Sequence, residues 1–109
     1  MELYGDDNKN ISITRGDSEA VLVKGLSLTT GDAIYLTVKE HANTSNIAFQ
    51  KKVTEFINGE ALITIFPEDT KNLKFKKYLY DIQLSRPGGI VTTIIKPHEF
   101  NIEREVTYD

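Results

Sequence analysis

The chain has 109 residues, 39% of them hydrophobic and 27% charged, with a formal net charge of -3 and a pI near 5.4; this is the make-up of one globular domain with a single core. Mild acidity argues against nucleic acid as a main partner, because phosphate binding needs a basic footprint. The absence of cysteine excludes disulfides, thiolate metal sites and cysteine nucleophiles, and no apolar run approaches the ~20 residues of a membrane-spanning helix.

Residues 1–9 read as a flexible N-terminal arm, polar and turn-rich through Gly5-Asp6-Asp7-Asn8, with neither the basic nor the apolar region of a secretory signal peptide. Asn10–Thr14 alternates Ile11 and Ile13 with polar residues, a short first strand. Arg15-Gly16-Asp17 is a turn, and Ser18–Lys24 is a second strand whose inward face is hidden by the continuous run Ala20-Val21-Leu22-Val23. Ala33–Glu40 has a clean period of two. It sets Ile34, Leu36 and Val38 against Tyr35, Thr37 and Lys39, one dry face and one wet face. Ile47–Thr54 is the next strand, with Lys51 falling on the apolar side, which a bulge, an edge position or a snorkelling stem would explain.

Asn58-Gly59 is a strong type I′ hairpin signal and pairs Ile47–Thr54 with Ala61–Phe66 in this reading. Pro67–Leu73 forms a crossing with one short helical turn. Tyr78–Ser85 and Ile90–Lys96 flank a turn at Arg86-Pro87-Gly88-Gly89, and Pro97 interrupts the last ladder before Phe100 and Ile102 resume it. About seven antiparallel strands at this spacing predict an all-β, immunoglobulin-like β-sandwich over residues 10–103, followed by a tail at 104–109.

The residues carry no chemistry pattern. His41 and His98 are isolated in breaker contexts, and no ligand spacing, nucleophile elbow or glycine-rich phosphate loop is present. No catalytic, cofactor or metal residues are therefore assigned, and the chain is not read as an enzyme. Asp6-Asp7-Asn8 lacks the spacing of a calcium loop. Glu68-Asp69 reads as turn and capping chemistry rather than an acid–base pair, and Arg15-Gly16-Asp17 as a structural turn rather than an adhesion motif. Asp69, Tyr78 and Tyr80 are candidate corner residues. The tyrosine hydroxyls are expected to bond back to the crossing, in particular to the Asp69–Leu73 backbone, which places Glu60–Phe66 and Tyr78–Ser85 in different sheets. Tyr35, Leu62, Phe66 and Leu79 are apolar residues on outward faces and are the candidate protein contacts.

The order of Ile13-Thr14-Arg15-Gly16-Asp17, Thr37-Val38-Lys39, Phe49-Gln50-Lys51, Pro67-Glu68-Asp69-Thr70 and Tyr78-Leu79-Tyr80-Asp81-Ile82-Gln83-Leu84 resembles the small immunoglobulin-like domains of phage and prophage tail proteins, notably the N-terminal domain of baseplate upper proteins. Leu73-Lys74-Phe75-Lys76-Lys77 departs from the glycine-proline turn common before the tyrosines in that family. The resemblance spans roughly residues 11–102. It implies a structural or docking module of a tail or baseplate without catalytic residues, whose partners are other tail proteins or copies of itself, as a homo-oligomer. It also implies a location in the virion, or in the host cytoplasm before assembly. A carbohydrate-binding or adhesin-like sandwich is the alternative, with Tyr4, Tyr35, Phe66 and Tyr108 as its candidate aromatics.

Overall fold

The alternation over residues 33–39 sets the frame of the molecule. In the computed structural model, which describes residues 1–4 and 9–104, Ile34, Leu36 and Val38 are fully buried while Tyr35, Thr37 and Lys39 lie on the outer face. Eight strands are formed among the described residues: β1 (Glu2–Tyr4), β2 (Ile11–Thr14), β3 (Glu19–Lys24), β4 (Ala33–Lys39), β5 (Ile47–Val53), β6 (Ala61–Ile65), β7 (Lys77–Arg86) and β8 (Ile90–Glu103), with one helical turn, α1 (Pro67–Thr70), between β6 and β7. A three-stranded sheet, ordered β1-β3-β6, faces a five-stranded sheet, ordered β2-β8-β7-β4-β5. The core between them is built from inward alternate positions of both sheets, among them Val21, Val23, Ile63 and Ile65 on one side and Leu36, Tyr80, Ile82, Ile95 and Phe100 on the other.

The all-β sandwich holds, with differences of detail. The described residues form eight strands rather than about seven, and two pairings are parallel: β1 with β3 and β2 with β8. Parallel neighbours come from chain segments far apart in sequence, so no local turn announces them. Of the arm expected over residues 1–9, residues 5–8 lie outside the described residues. Glu2–Tyr4 form β1, where Leu3 is fully buried and opposite Val23. Residues 105–109 of the expected tail also lie outside.

The hairpin expected at Asn58-Gly59 does not form. The turn itself has the positive backbone angles of a type I′ turn, φ 54° and 74°, but it closes only one isolated bridge, between Ile57 and Glu60. β5 pairs with β4, and β6 pairs with β3, in the opposite sheet. The turn docks on the β3–β4 connection, where the Leu28 amide donates to the Gly59 carbonyl (3.0 Å). Thus the chain turns where the sequence says it turns, while crossing from one sheet to the other. The Arg86–Gly89 turn, by contrast, joins neighbouring strands: Arg86 sits opposite Ile90, and the β7–β8 ladder follows.

Pro97 does not end β8. The register steps from Tyr80 opposite His98 to Ile82 opposite Ile95, so Lys96 and Pro97 together face Asp81. This is a bulge, in a stretch of β8 that β2 does not reach, and proline's missing N–H costs nothing there.

Candidate docking surfaces and the strand corner

β6 and β7 lie in different sheets, so the segment between them must turn a corner, and its polar groups fasten it. The Asp69 carboxylate accepts the Phe66 amide at 2.8 Å across the first turn of α1. The same oxygen accepts the Lys51 ammonium at 3.0 Å, with both side chains about four-fifths buried. This pair explains the lysine on the apolar side of β5: Lys51 points inward from an edge strand to a waiting carboxylate, with its ammonium 5.1 Å from the Phe66 ring centre. Thr70 is fully buried, and its hydroxyl accepts the Gly16 amide at 3.1 Å.

Arg15 donates to the Leu73 carbonyl (3.3 Å) and stacks 4.0 Å from the centre of the Phe75 ring. The Arg15-Gly16-Asp17 turn is therefore clasped to the corner. Its arginine has structural partners, as the turn reading requires.

Tyr78 and Tyr80 point into the core and carry their hydroxyls to different places. The Tyr78 hydroxyl accepts from the Lys74 amide (3.1 Å) and donates to the Lys74 carbonyl (3.2 Å), one residue beyond the Asp69–Leu73 backbone. Tyr80 donates to the Lys9 carbonyl at 2.7 Å, so it anchors the entry to β2 and not the corner. The sequence places both rings but not their partners, because Lys9 is 71 positions away. In the Leu73–Lys77 segment, Phe75 stacks with Arg15 and Lys76 pairs with Glu40 at 2.9 Å. The Lys76 hydrogen bond holds the exposed Glu40 carboxyl below its usual range and raises Lys76 in turn.

The four apolar residues read as outward do not share one surface. Tyr35 and Leu79 lie on the outer face of the five-stranded sheet. That face also carries polar pairs across its strands: Gln50 donates to Thr37 (2.8 Å), Gln83 to Thr93 (3.3 Å) and Asn101 to Ser12 (3.4 Å). Leu62 and Phe66 belong to the other side. Leu62, 52% exposed, is opposite the half-buried Leu22 on the outer face of the three-stranded sheet. Ile57, 77% exposed, stands beside them across a shallow groove. Sequence reading missed Ile57 and Leu22, since one lies in a turn and the other in a continuous apolar run. The groove borders β6, an edge strand of its sheet. A second apolar point is the β7–β8 hairpin tip, where Ile90 and Val91 are exposed.

Burial shifts the titration of the Asp81 carboxyl. Desolvation raises it, and Lys39 on β4 pulls the other way. From β8, the bulge residue Lys96 and then His98 and Glu99 occupy the neighbouring register positions. The sign follows. A carboxyl raised above its unfolded value of about 3.8 costs stability once the pH passes that value, and the cost is complete above the folded pKa. Asp81→Asn is therefore expected to raise the melting temperature near pH 7 by roughly 1–3 °C, the modest gain of a group still half in water. The gain should vanish near pH 3; an equal gain at both pH values would disprove the assignment.

Among the described residues, no group of three or more His, Asp or Glu side chains could hold a metal ion. His41 lies in an exposed loop, and His98 places Nδ1 2.6 Å from the Lys96 carbonyl. Glu68 is exposed on α1, while Asp69 is turned to Lys51. Asp6-Asp7-Asn8 lies outside the described residues. Among the described residues, no helix is long and apolar enough to cross a membrane.

No family model and no curated protein matches the sequence. Among solved structures, the fold is similar to the N-terminal domain of phage TP901-1 ORF48, with a TM-score of 0.54 and 11% identity over 94% of each chain. The shared feature is the fold.

Proposed function

We propose that the chain is a non-enzymatic, immunoglobulin-like docking module of a phage or prophage tail or baseplate, which holds other tail proteins or copies of itself together. The observation that carries this reading is the groove in which Leu22, Ile57 and Leu62 gather, with Glu55, Asn58 and Glu60 also lining it, beside the edge strand β6. Exposed apolar side chains gathered next to an unpaired strand edge suit a protein contact. The order of the turn and strand motifs, and a fold shared with a phage protein domain over almost the whole chain, support the tail setting. The virion, or the host cytoplasm before assembly, is the location this function requires.

The carbohydrate-binding alternative needs aromatics on one platform, and the geometry does not favour it. Tyr35 is on the five-stranded sheet. Tyr4 is opposite Lys24, at one end of β3, whereas Phe66 lies one step beyond Ile65, which is opposite Glu19 at the other end; about six strand steps separate Tyr4 and Phe66 by roughly 20 Å. Tyr108 lies outside the described residues.

The test is co-sedimentation of the tagged chain with assembled tail particles from producing cells. The wild type is expected in the particle fraction. Leu62→Glu with Ile57→Glu should remove it while melting within about 1 kcal/mol of wild type, since both side chains are exposed. Absence of the wild-type chain from particles, or full retention of the double variant, would refute the reading.

A further inference from the structure

Asp81 is a half-buried carboxylate on the outer face of the five-stranded sheet. It is opposite Thr37 on one side and the Lys96-Pro97 bulge on the other. A notch of about 80 Å³ lies beside the bulge, with Thr37, Lys39, Ala42, Leu79, Asp81 and Pro97 among its lining residues. On this face Gln50 closes on Thr37 within the row of Asp81 itself, and Gln83 closes on Thr93 in the next row. Asp81 makes no such bond; its neighbour in charge is Lys39, which acts on it through space.

We infer that this notch is a receptor for one cationic side chain, an arginine or lysine of a partner protein, with the Asp81 carboxylate as its counter-ion. The walls fit the guest. Leu79, Ala42 and Pro97 offer apolar contact to an aliphatic stem, while the carboxylate meets its charged end, the pattern by which such side chains bury methylenes and keep a charge paired. The volume admits the end of a side chain and not a metabolite of ordinary size. Lys39 tunes the site. Empty, the notch has Lys39, one of its own lining residues, as a partial counter-ion; filled, Lys39 opposes the guest by like-charge repulsion. The carboxylate also costs the isolated fold stability through burial, and a partner's cation would relieve that cost.

This inference deepens the docking reading by naming the chemistry of one contact, on the face opposite the apolar groove. Its test needs no partner and so fails or succeeds separately from that reading. N-acetyl-arginine amide is titrated into the 13C,15N-labelled chain, following the Asp81 side-chain carboxyl and the Thr37, Leu79 and Asp81 amides, with N-acetyl-norleucine amide as the uncharged control. Expected are saturable shifts confined to the notch, with millimolar affinity. Lys39→Met should bind several-fold more tightly, about five-fold for the removal of one nearby like charge. Asp81→Asn, isosteric and expected to fold, should show no saturable shift. Equal shifts with the norleucine compound, unchanged binding in Asp81→Asn, or weaker binding in Lys39→Met would each overturn the assignment.

Discussion

Phe100→Ala is expected to destabilise the chain by about 3–5 kcal/mol, the cost of a large core aromatic with little room to collapse. Phe100 is fully buried in β8, at the place where four strands meet. It is opposite Ile11 of β2 and Tyr78 of β7. Its ring meets Phe49 of the edge strand β5 edge-on at 5.6 Å between centres, and Tyr80 at 6.1 Å. Aromatic pairs of this geometry add to the area they bury. Truncation opens a cavity whose lining strands are held in register by hydrogen bonds, so they cannot move in to fill it. For a domain of this size the melting temperature should fall by roughly 15 °C or more. A loss below about 1.5 kcal/mol in urea unfolding would show that Phe100 is not the hub of this core.

The second large effect is at the corner. Asp69→Ala is expected to cost about 2 kcal/mol, because it strips a mostly buried ammonium of its partner and frees the Phe66 amide in the same step. Lys51→Met should cost less, since a methionine stem fills the same path without a charge. The two substitutions share one interaction, so together they should cost about 1 kcal/mol less than the sum of their separate effects. Chemical denaturation of the four proteins in the cycle decides this. Simple additivity would mean that Lys51 and Asp69 are neighbours in space without being partners in energy. The inward charge on an edge strand also discourages unwanted pairing of β5 with another chain. Lys51→Met is therefore expected to increase self-association as well, readable by sedimentation velocity.

Much of the architecture was legible from local pattern. Period-two alternation in β4 and β7 marked their inner faces, since a strand buried on one side has no other way to read. The placement of Ala61–Ile65 and Tyr78–Ser85 in different sheets was legible from the proline-started crossing between them. Of the candidate surface, Leu62 and Phe66 could be named because they sit at outward phases of readable strands. Ile57 could not, because a turn residue has no phase. Leu22 could not, because in a run of four apolar residues either phase looks buried.

What the sequence by itself determined, then, is where the chain turns and which side of each alternating strand is dry. Those are decided by backbone sterics at Gly59 and Gly88 and by side chains two residues apart. Which strands become neighbours was left to the tertiary structure: β6 beside β3 rather than β5, β1 and β2 added in parallel, and the Tyr80 hydroxyl bonded to Lys9. The physical reason is range. A turn's geometry is settled within four residues. The choice of strand partner is settled by which pairing buries the two inner faces against each other, a property of the whole chain. The notch at Asp81 belongs to the second kind, since its lining comes from β4, the β4–β5 connection, β7 and β8 together.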